Sequence, residues 1–219
     1  MTGGSLRLYS FWRSSAAYRV RIALGLKELS YEVEPVHLLK DGGKQHTPEF
    51  NELNPQEFVP VLIHGNRVLR QSMAIMEYLD DVWADNPLLP PVARDAQRAR
   101  SIAQMIACDI HPLNNLRVMQ YLESQFKATQ AQKDEWMKHW IMAGFAAVEK
   151  VLAGNPSTGS FCEGDIPTMA DCCLVPQVYN AERFKVSMKP YPTIVRINKE
   201  CLGLEAFKQA HPSVQPDAE

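Results

Sequence analysis

The 219-residue chain carries 23 Lys+Arg against 25 Asp+Glu, a formal charge of −2, with 46% hydrophobic and 22% charged residues. That balance excludes a basic polyelectrolyte surface, so nucleic acid is not an expected partner, and it suits a packed core in one large domain or two small ones. No run approaches the ~18 apolar residues of a membrane span, and MTGGSLRLYSFWRSS has no apolar signal-peptide stretch, so a cytoplasmic protein without a membrane partner is expected.

Leu6–Phe11 reads as a short strand, and Tyr18, Ile22 and Leu26 at i+4 spacing mark a helix over 15–27. Tyr31, Val33 and Val36 suggest a second strand, followed by a polar loop over 39–55 with room for one helical turn. Val59–Ile63 and Val68–Arg70 flank His64-Gly65-Asn66-Arg67, a hairpin signal. A helix then begins at Ser72 and runs through Met73, Met76, Leu79 and Val82. Ala84–Pro91 packs three prolines into eight residues and reads as a linker.

Beyond it the periodicity is helical. Ile102, Ile106, Ile110, Leu113 and Leu116 mark one long helix with a kink at His111-Pro112. Trp136, Trp140, Ile141, Phe145, Val148 and Leu152 mark a second, its tryptophans being core or interface rather than a cofactor box. After the Gly164–Pro167 turn, Thr168 and Asp171 form a capping-box signal for a helix through Phe184, bent by Pro176 or carrying it near the first turn. A helix over 190–201 and a turn over 204–209 follow. The five cysteines, Cys108, Cys162, Cys172, Cys173 and Cys201, are odd in number and contain no Cys-x-x-Cys pair. They argue for small core residues rather than a disulfide framework or a metal site.

The order β-α-β, then β-β-α, is that of a thioredoxin-like α/β domain, here over 1–84, followed by an all-α domain over 92–219. Pro60 enters the third strand, where a proline is an oddity, and Val59-Pro60 is expected to be cis.

The run from Phe11 to Leu24, FWRSSAAYRVRIAL, resembles the signature of zeta-class glutathione transferases. Asn54-Pro55 with Val59-Pro60-Val61-Leu62, and Gln71-Ser72 with Ala74-Ile75 and Glu77-Tyr78-Leu79, resemble that family's glutathione-site segments. Asp109-Ile-His111-Pro112-Leu-Asn-Asn115-Leu-Arg117 resembles its bacterial maleylpyruvate isomerase-like branch. The likeness covers essentially the whole chain. It implies the glutathione transferase fold, a homodimer, and glutathione-dependent isomerisation of maleylacetoacetate, in phenylalanine and tyrosine breakdown, or of maleylpyruvate. A general glutathione transferase and a non-enzymatic interaction module of the same fold are the alternatives. The family's cysteine after the serine pair is Ala16 here.

The resemblance assigns Ser14, with Ser15 beside it, to the glutathione thiolate. A free thiol titrates near ~8.5, and a helix N-terminus with a hydroxyl donor lowers that; read locally, Ser14 is equally an ordinary N-cap. Val59, before Pro60, offers its backbone to the cysteinyl portion of glutathione, and Gln71 and Ser72 at a helix start suit the γ-glutamyl carboxylate. Gln45 is a candidate for the glycyl end. His111 and Asn115, one turn apart on one helix face, are placed by resemblance near glutathione in the interdomain cleft. Arg13, Arg117 and Arg183 are candidate grips for a dianionic diketo acid, Arg13 first because it adjoins Ser14. Arg19 and Arg21 read as structural, and Asp171 as a cap. No metal is called for.

Overall fold

The computed structural model describes residues 4–219. They form two compact units, 4–88 with 203–219, and 89–202.

In the first unit, β1 (Leu6–Ser10), β2 (Glu32–Pro35), β3 (Val61–His64) and β4 (Arg67–Arg70) form one sheet of order β2-β1-β3-β4. The β1–β2 pair is parallel and the other two are antiparallel, with Leu8 opposite Val33 and Leu62. A parallel pair needs a crossover, which α1 (Ser15–Leu26) supplies. Alternation along β1 buries Leu6, Leu8 and Ser10 on one face. On the other, Tyr9, Ile63 and Val68 pack with Phe11, Trp12, Val36, Phe50, Val59 and Val61. Gly65, at φ +57, makes the two-residue β3–β4 connection possible.

The polar stretch after β2 holds two 3-10 turns and α2 (Pro48–Leu53), more structure than a loop with one turn. Thr47 caps α2 by accepting from Phe50 N–H at 3.3 Å, and Pro48 sits in its first turn, where a missing N–H costs nothing. The Val59-Pro60 bond is cis. After β4 comes α3 (Ser72–Val82).

The proline-rich segment carries the boundary between the units, after Leu88, as expected of a linker, and its start is tied down: the buried Lys27 ammonium pairs with Asp80 at 2.9 Å and donates to the carbonyls of Trp83, Asp85 and Asn86. Asp80 also accepts from Leu88 N–H, and Leu88 is fully buried. The chain after residue 203 packs within this first unit rather than with the helices it follows. Its helix lies against α1 because Gly25 has no side chain; a Cβ there would stand 3.1 Å from that of Ala206.

The second unit is helical: α4 (Ala93–Gln104), α5 (Leu116–Phe126), α6 (Gln130–Leu152), α7 (Met169–Arg183) and α8 (Pro192–Gly203), the short α9 (Glu205–Ala210) belonging to the first. The long helix expected through Leu116 does not persist. α4 widens into a π-helical segment over Met105–Ile110, tightens into a 3-10 turn over His111–Asn114, and α5 starts afresh from the Asn115 cap. Pro112 accounts for this, since its ring cannot coexist with an undisturbed carbonyl four residues back.

The Thr168–Asp171 capping box forms as expected. The fully buried Asp171 carboxylate accepts from Thr168 N–H at 2.7 Å and Thr168 Oγ1 at 3.0 Å, and from Cys162 N–H at 2.9 Å. Burial pushes its pKa up, while these bonds pull it back. Pro176 lies inside α7, beyond its first turn. Glu149 of α6 caps α8 through the N–H groups of Thr193 and Ile194, at 2.9 and 3.0 Å. Arg98 joins the Cys162 carbonyl, Glu163, Thr158 and the Val151 carbonyl.

Asp171→Ala takes the acceptor from the buried Thr168 and Cys162 N–H groups, the Thr168 hydroxyl and the Cys201 thiol, and should cost about 2–4 kcal/mol in urea unfolding. Asp171→Asn, which keeps acceptor oxygen but not both, should fall between; an alanine variant as stable as the parent would remove the cap from the folding account.

Candidate active site

The β1–α1 turn carries Arg13, Ser14 and Ser15. Its backbone is held from behind by Arg21, which is 1% exposed. The Arg21 guanidinium donates to Ser10 Oγ at 3.0 Å, the Phe11 carbonyl at 3.4 Å, the Trp12 carbonyl at 2.9 Å and, from Nε, the Ala210 carbonyl at 3.0 Å. Ser14 N–H donates to the Phe11 carbonyl at 2.9 Å, closing the turn. Ser14 is the N-cap of α1, its Oγ accepting from Ala17 N–H at 3.2 Å. The two readings of this serine are therefore compatible. A hydroxyl that accepts one bond keeps its own hydrogen, and here that donor sits at the positive end of a helix. Ser15 is buried in the first turn. The Arg13 guanidinium lies 5.2 Å from the Trp12 ring centre and 5.9 Å from that of Phe11, with no carboxylate partner among the described residues.

Val59 is buried and precedes the cis-proline outside the β1–β3 ladder, which ends at Tyr9 opposite Val61. Among the described residues no backbone group pairs with its N–H or carbonyl. Gln71 has φ +68 and ψ 114, a conformation costing a non-glycine residue ~1–3 kcal/mol, of the kind that concentrates at functional sites. Its side chain donates to Gln56 at 2.6 Å, and no side chain caps α3. The first N–H groups of α3 thus remain open to an anion. Ser72 Oγ accepts from the buried Arg19 at 3.2 Å, which leaves its own hydrogen to donate. Gln45 is 4% exposed; its Nε2 donates to the Leu38 carbonyl at 3.2 Å and lies 2.9 Å from His46 Nε2, while its buried Oε1 has no partner.

The remaining candidates lie in the helical unit. His111 opens the 3-10 turn and Asn115 is the α5 N-cap, its Oδ1 accepting from Arg117 N–H at 3.1 Å. The two do not share one helix face, because the helix ends between them. Arg117 is exposed on α5. Arg183 ends α7, its guanidinium 5.1 Å from the Phe184 ring centre. Trp136 ties α6 to the turn through the Leu113 carbonyl at 2.8 Å and packs edge-on to Trp140 at 5.8 Å. No cluster of metal-ligating side chains occurs among the described residues, and no helix is long and apolar enough to cross a membrane.

The sequence reading missed Asp217, whose carboxylate accepts from Trp12 N–H at 2.9 Å across 205 positions; no local pattern signals such a contact. It read Arg21 as structural without seeing that it shapes the turn itself.

Residues 4–81 match the N-terminal domain of glutathione S-transferases, which defines the class. A probable maleylacetoacetate isomerase of Vibrio cholerae is 49% identical over 98% of this chain and 99% of its own. Among solved structures, a holo maleylpyruvate isomerase, described as a bacterial zeta-class glutathione S-transferase, superposes with TM-score 0.94 at 46% identity, covering 97% of this chain and 100% of its own. A maleylacetoacetate isomerase from Methylobacterium extorquens AM1, with malonate and glutathione bound, gives TM-score 0.94 at 41% identity over 97% and 99%. The chain belongs to the zeta-class glutathione S-transferase family, with the maleylacetoacetate and maleylpyruvate isomerases.

Ser72→Ala removes one donor from the open α3 terminus and should weaken glutathione binding by roughly 1–2 kcal/mol, with a smaller effect on turnover at saturation. Calorimetric affinity equal to the parent's would take Ser72 out of the site.

Proposed function

We propose that this protein is a glutathione-dependent cis–trans isomerase of maleylacetoacetate or maleylpyruvate. The observation that carries the reading is Ser14: its oxygen is satisfied by the α1 backbone, and its hydrogen is left to donate from a helix N-terminus. The chain's groups fit glutathione. The uncapped α3 terminus with Ser72 and Gln71 suits the γ-glutamyl carboxylate, and the unpaired Val59 backbone beside Pro60 suits the cysteinyl peptide. Gln45 Oε1, an acceptor, suits the glycyl N–H rather than its carboxylate.

Bound glutathione would supply a thiolate nucleophile for the conjugated cis alkene, recovered unchanged once the trans product has formed. Ser14 lowers the thiol pKa by hydrogen-bonding the charged form, supported by the α1 dipole and by Ser15 in the same first turn. Arg13 supplies positive charge beside Ser14 for a substrate carboxylate, and Arg117 and Arg183 stay candidate carboxylate grips on the helical unit. His111 and Asn115 are assigned to cofactor binding. Ala16 in place of the family's cysteine is compatible with this, since the attacking sulfur is glutathione's. The family's homodimeric state and a cytoplasmic location are part of the same proposal. A general transferase would use the same thiolate but consume glutathione, whereas an isomerase recovers it; the cationic set favours the isomerase.

Turnover of each cis substrate with and without glutathione tests this directly, with glutathione expected to be obligatory and unconsumed. Ser14→Ala should raise the thiol pKa of bound glutathione and lower kcat roughly ten-fold or more, one pKa unit being ~1.4 kcal/mol. An unchanged kcat at pH 7 would sink the assignment. Arg13→Met should raise KM for the acidic substrate by the roughly 1.5–3 kcal/mol of a charge-assisted hydrogen bond, with glutathione affinity nearly intact. Lysine should rescue only in part, lacking the planar fork. If KM holds while melting temperature falls, Arg13 is scaffold.

A further inference from the structure

Residues beyond α9 run back over the β1–α1 turn and the loop that bears Gln45. Gln215 closes the path by donating to the carbonyls of Gln209 and His211, at 2.9 and 3.0 Å. Asp217 Oδ2 then accepts from Trp12 N–H at 2.9 Å. Glu219 Oε1 lies 3.3 Å from His37 Nε2 and pairs with Lys40. His37 Nδ1 accepts from the N–H groups of Leu39 and Lys40, at 3.2 and 2.9 Å, so the ring hydrogen sits on Nε2 and points at Glu219. The same ring packs edge-on to Phe11 at 5.1 Å, and Gln45 Nε2 reaches back to Leu38 in this loop. One short segment therefore grips both loops.

The peptide groups around Trp12 are fixed on both sides. Arg21 holds the carbonyls of Phe11 and Trp12, and Asp217 holds the intervening N–H. Ser14 N–H returns to the Phe11 carbonyl, so rotation of the 11–12 peptide would carry Ser14 with it. Asp217 Oδ1 is buried with no partner. A carboxylate that is half unsatisfied and faces a backbone N–H is poor value as a stabilising contact. What it does provide is a fixed direction for the turn.

We propose that residues 217–219 are a strap that orients the glutathione-contacting loops, with Asp217 the positioning residue for Ser14 and Glu219 for the Gln45 loop; this rests on the roles given to Ser14 and Gln45 above. Asp217 acts through the backbone and touches neither glutathione nor substrate.

The sign of one titration separates this from electrostatics. Deleting a negative charge near a thiolate lowers the thiol pKa, whereas misdirecting its donor raises it. The pKa of bound glutathione is read by ultraviolet thiolate absorbance, alongside kcat, glutathione affinity and melting temperature. Asp217→Ala should raise that pKa by about one and lower kcat about ten-fold at neutral pH. Asp217→Asn, which loses the charge but keeps an acceptor oxygen, should stay within roughly two-fold of the parent in kcat with the pKa level or lower. Glu219→Ala should weaken glutathione affinity several-fold.

A lowered or unchanged pKa in Asp217→Ala overturns the proposal. So does an equal collapse of melting temperature in the alanine and asparagine variants, which would make the tail purely structural. An unchanged affinity in Glu219→Ala overturns its half. Ser14→Ala in the same titration distinguishes the layers: a shift there with none in Asp217→Ala rejects the strap alone. No shift in Ser14→Ala rejects the role of Ser14 and the strap with it.

Discussion

One buried guanidinium organises the first unit. Arg21 projects from α1 and donates to Ser10, Phe11, Trp12 and Ala210, joining the end of β1, the turn before Ser14 and the last carbonyl of α9. No apolar side chain could replace it, because carbonyls leaving a strand and a helix end must be paired when buried. Lysine would offer a point charge where a planar fork is needed. The cost of burying that charge is offset only because each bond satisfies a group that would otherwise be orphaned. The geometry of Ser14, the seat of α9 and the path of the residues after it all follow from this contact.

The N-termini of α1 and α3 are built differently, and the difference matches two ligand chemistries. α1 is capped by Ser14, so its N–H groups are partly satisfied and its field reaches outward through one hydroxyl. That suits a soft, polarisable sulfur needing a modest pKa reduction. α3 has no side-chain cap, and Gln71 before it is held at positive φ. Bare N–H groups suit a hard carboxylate oxygen able to accept several of them. Capping α3 would gain ~1 kcal/mol of stability and occupy the N–H groups proposed for the γ-glutamyl carboxylate; the strained Gln71 backbone leaves them open.

How much of this was legible in the sequence depended on whether the signal was local. The strand and helix order could be read from periodicity, and the Thr168–Asp171 box from residue types at fixed spacing, because those patterns act within one turn. The Thr47-Pro48 start of α2 was overlooked although cap and first-turn proline were both present. α5 was missed although Val118, Leu122 and Phe126 recur at i+4 spacing, because the periodicity was read as one helix ending at Leu116; none of its side chains is buried. Pro112 was recognised but its effect underestimated: the helix re-forms rather than bends, which separates His111 from Asn115. The serines, Val59 and Gln71 came from resemblance; their free donors and open backbone emerged only from the structure. Arg21 and Asp217 act across 189 and 205 positions, beyond any local pattern.

The cysteines bear on the loss of the family's thiol at position 16. Cys162, Cys172, Cys173 and Cys201 are fully buried and Cys108 is exposed, all as free thiols. Burial, with Asp171 beside them, pushes the thiols of Cys162 and Cys201 up, away from thiolate. Those two thiols are held away from the charged form, whereas the role proposed for the β1–α1 turn is to favour the thiolate of a sulfur brought from outside. A resident nucleophile at position 16 would sit in the same helix N-terminal field as that thiol and compete for the same electrophile. Alanine there removes the competitor and, on the proposed mechanism, leaves the hydroxyl of Ser14 to the glutathione sulfur and the charge of Arg13 to the substrate carboxylate.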